Sequence, residues 1–215
     1  MDVLAELEHV GAVLNDRHFV YTSGRHGSSY INMDALFPHV ELTSRISELL
    51  VEPFGGEFDV VAGPAVGGVV LAGFGALAST RRFGHEVTFV WADKTSDGFT
   101  LERAGFADAV ANRRILLVED LLTTGGSLSK VCQAVLAASG HPVGASVVCN
   151  RGGVTATDLG VHRLTALTEI NLSSTTASDC QLCKECVPIV LDIGHGAEFR
   201  NEHPTYDGGY VSLGI

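Results

Sequence analysis

Two adjacent carboxylates, Glu119 and Asp120, stand three residues ahead of a dense run of hydroxyls and glycines, Thr123-Thr124-Gly125-Gly126-Ser127. Glycines let a backbone approach a ligand closely, and main-chain N–H groups with nearby hydroxyls bind phosphate oxygens. Carboxylates repel phosphate, so Glu119 and Asp120 must face something hydroxylated or cationic, such as ribose hydroxyls or a magnesium ion. A site offering both a phosphate cradle and a carboxylate pair suits a sugar phosphate.

The elements that must position these groups are legible on either side. Ile115 to Val118 is a short aliphatic run, a buried strand that ends in the acidic pair. Behind the loop, Leu128, Val131, Val135 and Leu136 recur at helical spacing, with Ser127 where an N-cap belongs. The loop therefore lies at a helix N-terminus, where unpaired N–H groups and the positive end of the dipole favour an anion. An acidic strand end followed by an ordinary helix cap would leave the glycine and hydroxyl cluster unexplained.

The same strand, glycine loop and helix grammar recurs. Residues 58–62 read as a strand, Gly63-Pro64-Ala65-Val66-Gly67-Gly68 interrupts it, and 69–77 resumes as a helix rich in small residues. Val87 to Trp91 reads as a strand leading into a polar stretch, Asp93 to Gly98, with the composition of a mobile loop. Val143 to Cys149 is a further strand, ending at Asn150-Arg151-Gly152-Gly153, and Leu164 to Ile170 is the last. Upstream, apolar spacing predicts helices over 3–14 and 42–51, and residues 19–32 read as a hairpin with a glycine turn. Alternating strands and helices imply an α/β fold with a central parallel sheet flanked by helices, whose ligands bind at the carboxyl ends of the strands. The breaks after Ala62, Asp120 and Asn150 all fall at such ends.

The 115–127 stretch resembles the phosphoribosyl pyrophosphate (PRPP) signature of the type I phosphoribosyltransferases. The hairpin Thr22-Ser-Gly-Arg-His-Gly-Ser-Ser-Tyr-Ile-Asn32 resembles the N-terminal hood of the orotate phosphoribosyltransferase branch, and Asn150-Arg151-Gly-Gly resembles its site for the orotate carboxylate. The resemblance covers roughly residues 1 to 170 and implies a transferase domain there, with its hood at about 18–35 and a C-terminal extension over 171–215. It places PRPP on Glu119, Asp120, Leu121, Leu122, Thr123, Thr124, Gly125, Gly126 and Ser127. Backbone donors from Ala65, Val66 and Gly67, in a loop that often holds a strained peptide, and the cations Lys94 and Arg103 complete that site. Orotate falls to Thr123, Arg151, Tyr30 and Ile31, a planar guanidinium being suited to grip a carboxylate bidentately.

The resemblance further implies magnesium carried with PRPP, within reach of Glu119 and Asp120. It implies a homodimer whose loop, with Lys94 as a catalytic cation, crosses into the neighbouring site. The best-known pattern of that branch has lysines where Gly67 and Thr22 stand, and a basic Asp-His-Gly loop where Thr95 to Gly98 stand. This chain looks like another branch. A transferase for a purine or uracil-like base, or a PRPP-sensing regulator without catalysis, would share the phosphate signature. Such regulators carry a basic nucleic-acid-binding region.

Composition bounds these readings. With 215 residues, 46% of them hydrophobic, the chain can bury a full core, and its formal charge of −11 opposes nonspecific nucleic-acid binding. No apolar run reaches membrane-spanning length, and the first residues lack a secretory pattern, so a cytoplasmic protein is expected. Five cysteines suit a reducing compartment. Three of them, Cys180, Cys183 and Cys186, are spaced for zinc, with His195 or His203 as a fourth ligand, while Cys132 and Cys149 lie in apolar runs as core residues.

Overall fold

The computed structural model describes residues 1–103 and 105–214. Contacts group the chain into two compact units: Met1–Val3 with Met33–Asn171, and Leu4–Asn32 with Leu172–Ile215.

The larger unit is built on a six-stranded sheet among the described residues. Its strands are β1 (Val60–Pro64), β2 (Thr88–Lys94), β3 (Phe99–Thr100), β4 (Arg114–Leu122), β5 (His141–Asn150) and β6 (Leu164–Glu169). They stand in the order β6-β5-β4-β1-β2-β3, all neighbours parallel except the β2–β3 hairpin. The helices are α1 (Val40–Val51), α2 (Gly67–Phe83), α3 (Phe106–Val110), α4 (Gly126–Ala137) and α5 (Ala156–Leu159).

Strand periodicity sorts the core. Val60 and Ala62, Val90 and Ala92, Ile115 and Leu117, and Ala145 and Val147 point to one face and pack with Leu128, Val131 and Val135 of α4. The intervening Leu116 and Val118 are fully buried too, as befits a parallel sheet covered on both faces. Each such aliphatic contributes roughly 1.5–3 kcal/mol by leaving water. α1 packs on α2, which is why α2 is rich in small residues: a Cβ at Gly75 would stand 3.0 Å from Val51 Cγ1.

Four local readings are corrected. The signature strand does not stop at Val118, because ladder pairing continues through Glu119↔Val147, Leu121↔Cys149 and Leu122↔Asn150. A polar side chain does not prevent its backbone from pairing. α4 is capped by Gly125 at φ 73°, which puts Ser127 inside the first turn instead of at the N-cap. The N-terminal helix ends at His9, before Gly11 at φ 75°, and Val13–Leu14 becomes a strand. The polar stretch after Trp91 is largely strand: β2 runs to Lys94 and the turn is only Thr95 to Gly98, closed by Thr95 N–H to Gly98 O at 2.9 Å.

In the smaller unit, Val13–Leu14 pairs with Tyr30–Ile31 and Phe19–Val20 with His26–Gly27, both antiparallel, while Ile189–Val190 pairs with Tyr210–Val211 in parallel. Single bridges, His26↔Thr175 and His18↔Ile189, join its two segments. One of its buried apolar clusters is formed by Phe19, Tyr21, Val190 and Ile193. Among the described residues, no helix is long and apolar enough to cross a membrane.

Candidate active site

The strand order reverses between β1 and β4, and the crevice at such a switch point is where an open α/β sheet takes its ligand. The loops leaving these two strands are 65–66 and 123–125. Glu119 and residues 121–127 line one concave pocket. At its mouth the first N–H groups of α4 have no carbonyl of their own helix to bond, and Thr124 Oγ1 accepts only a long contact, 3.4 Å, from Gly126 N–H. Gly125 cannot carry a side chain: besides its positive φ, a Cβ there would stand 2.8 Å from Val154 Cγ1 and 2.9 Å from Leu159 Cδ2.

Because successive strand residues face opposite sides, Glu119 and Asp120 do not act as a side-by-side pair. Glu119 is 8% exposed and belongs to the pocket of the signature loop. Asp120 turns toward the start of α2, where a Cβ at Gly67 would meet its Oδ2 at 2.5 Å. Its Oδ1 accepts the N–H of Leu121 at 2.8 Å. Burial, with the Asp120 charge second, pushes the Glu119 carboxyl up to about 8. Burial also raises Asp120, opposed by the Leu121 N–H and aided by the charge of Asp34. Burial therefore disfavours the charged form at both sites.

The β1 loop is drawn tight. Gly63 packs against Gly68 and Val118 with main-chain oxygens 2.7 Å from where its Cβ would be, and Ala65 N–H donates to Ala92 O at 3.0 Å. The Ala65–Val66 peptide is cis and Val66 is exposed, and Ala65, expected as a backbone donor to PRPP, has its N–H engaged by Ala92 O.

Arg151 is delivered to the same end of the sheet by β5. Its N–H and that of Gly152 both donate to Leu122 O, at 2.8 and 3.2 Å, and the Cα of Gly152 packs against Thr123 O. Asn150, buried at 6%, holds the turn from inside: its Nδ2 donates to Val154 O at 2.8 Å and its Oδ1 accepts Val154 N–H at 3.0 Å. Thr123 and Arg151 are thus neighbours through backbone bonds. Asn150 is a positioning residue that the sequence reading passed over; a strand-terminal Asn ahead of a Gly-Gly turn is the signal that marks it.

The remaining predicted residues are placed as follows. Lys94 ends β2, exposed, paired across the hairpin with Phe99. Arg103 is engaged by Asp93, Nε to Oδ2 at 2.5 Å, and lies over the Trp91 ring at 4.9 Å, so its guanidinium already has an anionic partner. Tyr30 and Ile31 belong to the smaller unit, Ile31 buried and Tyr30 packed on Phe19 at 5.4 Å between ring centres. Cys132 and Cys149 are buried, as expected. Of the expected zinc ligands, Cys186 is exposed and itself left-handed (φ 53°), His195 pairs with Glu198 at 3.8 Å and the His203 ring lies 4.3 Å from that of Phe199. Cys180 and Cys183 instead gather with His18 and His26.

Phosphate at the α4 terminus, a polyhydroxyl group against Glu119 and Asp120, and a carboxylate at Arg151 are the three chemistries this end of the sheet can hold together. The family described as Phosphoribosyl transferase domain matches residues 36–161. The chain is 34% identical over 190 residues to an orotate phosphoribosyltransferase of Pelotomaculum thermopropionicum, covering 88% of this chain and 94% of the other. It is equally 34% identical to one from Thermus thermophilus, covering 88% and 98%. Among solved structures, orotate phosphoribosyltransferase from Aeropyrum pernix aligns with a TM-score of 0.58 at 26% identity, over 78% of this chain and 93% of that one.

Proposed function

This chain belongs to the phosphoribosyl transferase domain family, and from that membership we propose that it is an orotate phosphoribosyltransferase, joining PRPP and orotate to give orotidine 5′-phosphate and pyrophosphate. One observation carries the choice of acceptor: the Arg151 turn is hydrogen-bonded to Leu122 O beside Thr123, so a carboxylate grip adjoins the phosphate cradle. A base without a carboxylate would have no use for that guanidinium.

In the reaction a ring nitrogen of orotate attacks the anomeric carbon of PRPP and the bond to pyrophosphate breaks, inverting the configuration through a cationic sugar. The α4 terminus with Thr123, Thr124 and Ser127 holds the 5′-phosphate, Glu119 and Asp120 face the ribose hydroxyls from the two sides of β4, and the backbone of Val66 and Gly67 meets the pyrophosphate. Negative groups near the ribose stabilise its developing positive charge, and positive ones the leaving group. Glu119 and Asp120, each on its own side of β4, would supply carboxylate oxygens of the kind magnesium takes. Bound with PRPP, magnesium supplies charge neutralisation at the pyrophosphate.

Lys94 at the end of β2 closes on the pyrophosphate of a partner subunit in a homodimer. Its exposed place at a hairpin turn supports that reach. The free cysteines of the described residues support a reducing, cytoplasmic setting. The test is pyrophosphate release from PRPP with magnesium and a panel of bases. Release with orotate alone is expected; release with adenine or uracil and none with orotate would assign a different acceptor.

A further inference from the structure

We infer that His18, His26, Cys180 and Cys183 form a structural zinc site that ties together the two segments of the smaller unit. The inference is independent of the acceptor base. It stands on four side chains that the sequence keeps far apart and the fold brings to one point.

His18 and His26 flank the hairpin turn that Tyr21 N–H closes on Arg25 O, and Cys180 and Cys183 lie at the start and within the short helix Gln181–Lys184. One ligand atom from each lies within 4.8 Å of all the others. The separate distances are those of a coordination polyhedron. Sγ of Cys180 and Sγ of Cys183 are each 3.7 Å from His18 Nε2, and Sγ of Cys183 is 3.4 Å from His26 Nδ1. With Zn–N near 2.0–2.1 Å and Zn–S near 2.3 Å, a tetrahedral ion sets N···S edges of about 3.6 Å and an N···N edge of about 3.3 Å. The observed N···N distance is 2.8 Å, so the imidazoles need to part by only about half an ångström.

The surroundings orient His18 as a zinc ligand requires. His18 Nδ1 donates to Val187 O at 2.9 Å, which fixes the tautomer and leaves the Nε2 lone pair facing the cluster. Tyr206 Oη donates to the same carbonyl at 2.8 Å. His18, His26 and Cys180 are buried, and Cys183 is half-buried, so four protein ligands close the site against water. Two nitrogens and two sulfurs in a tetrahedron select zinc over magnesium or calcium. The need for it is physical: a unit of fewer than about 80 residues gains much from a metal that closes long chain loops.

The full-length chain, purified from zinc-supplemented culture without chelator, is assayed for metal by mass spectrometry and then reloaded with cobalt. One zinc per chain is expected, with the charge-transfer and visible bands of tetrahedral thiolate-bound cobalt. Cys183→Ser and His26→Ala are expected to weaken zinc, in competition with a chromogenic chelator, by at least about tenfold. Cys186→Ser and His203→Ala are expected to leave it unchanged. Wild-type protein with no stoichiometric zinc and an octahedral cobalt spectrum overturns the inference even if the variants misfold. So does a Cys180–Cys183 disulfide found by mass, or an equal loss of zinc in Cys186→Ser. None of these readouts uses transferase activity, so they stand apart from the test of the acceptor.

Discussion

Gly67 and Asp120 meet so closely that a Cβ on the glycine would stand 2.5 Å from Asp120 Oδ2. Any side chain at this place requires the Asp120 carboxylate to shift. In this chain the first residue of α2 and the second acid of β4 are a matched pair. Gly67→Ala is expected to displace the carboxylate and lower kcat/KM for PRPP by about 10-fold or more, at a stability cost of roughly 1–3 kcal/mol. Steady-state kinetics and urea unfolding check both.

Asp120→Asn keeps the shape and removes the charge proposed to face the ribose. Turnover is expected to fall on the order of 100-fold, while the melting temperature holds or rises, because the buried carboxyl is already unfavourable as an anion. Unaltered activity would end the assignment of Asp120 to the reaction.

Glu119 makes ligand-free stability depend on pH. Its carboxyl titrates near 4.5 unfolded but only at about 8 folded. Between those values the folded chain holds the extra proton, so its stability falls as pH rises and the loss is complete above about 8. Glu119→Gln removes this dependence. Relative to wild type, the variant is expected to gain on the order of 1–4 kcal/mol between pH 5 and pH 9, measured by urea unfolding at each pH.

Lys94→Ala is expected to lower kcat more than PRPP affinity, since a cation at the leaving group matters most as charge builds there. Mixing Lys94→Ala subunits with Asp120→Asn subunits tests its reach. If Lys94 acts in a partner's site, each mixed dimer contains one site with both residues intact, and activity returns. No recovery after verified subunit exchange would place Lys94 in its own chain's site.

The phosphate cradle was legible in the sequence because its parts are contiguous: strand, acids, loop and helix succeed one another within 115–136. What escaped was set by pairing between distant segments. Glu119 and Asp120 face opposite sides because β5 continues the ladder past Val118, a fact carried by Val147 and Cys149 rather than by the signature. Arg103 reads as a loop cation until the β2–β3 hairpin brings Asp93 to it. The proposed zinc ligands show the same limit. Cys180 and Cys183 announce themselves by spacing, but their partners, His18 and His26, lie some 160 residues away and share no motif with them.

The central claim joins a PRPP cradle to a carboxylate grip, and the ratio of kcat/KM for orotate over uracil, in wild type and in Arg151→Gln, tests it most directly. Sites built to bind a charged group reject the analogue lacking it by factors on the order of 10⁴. Wild type is expected to prefer orotate by about that margin, and Arg151→Gln to lose most of the preference through the orotate value alone. A ratio unchanged by the substitution, or a wild type that uses uracil as well as orotate, would contradict the account.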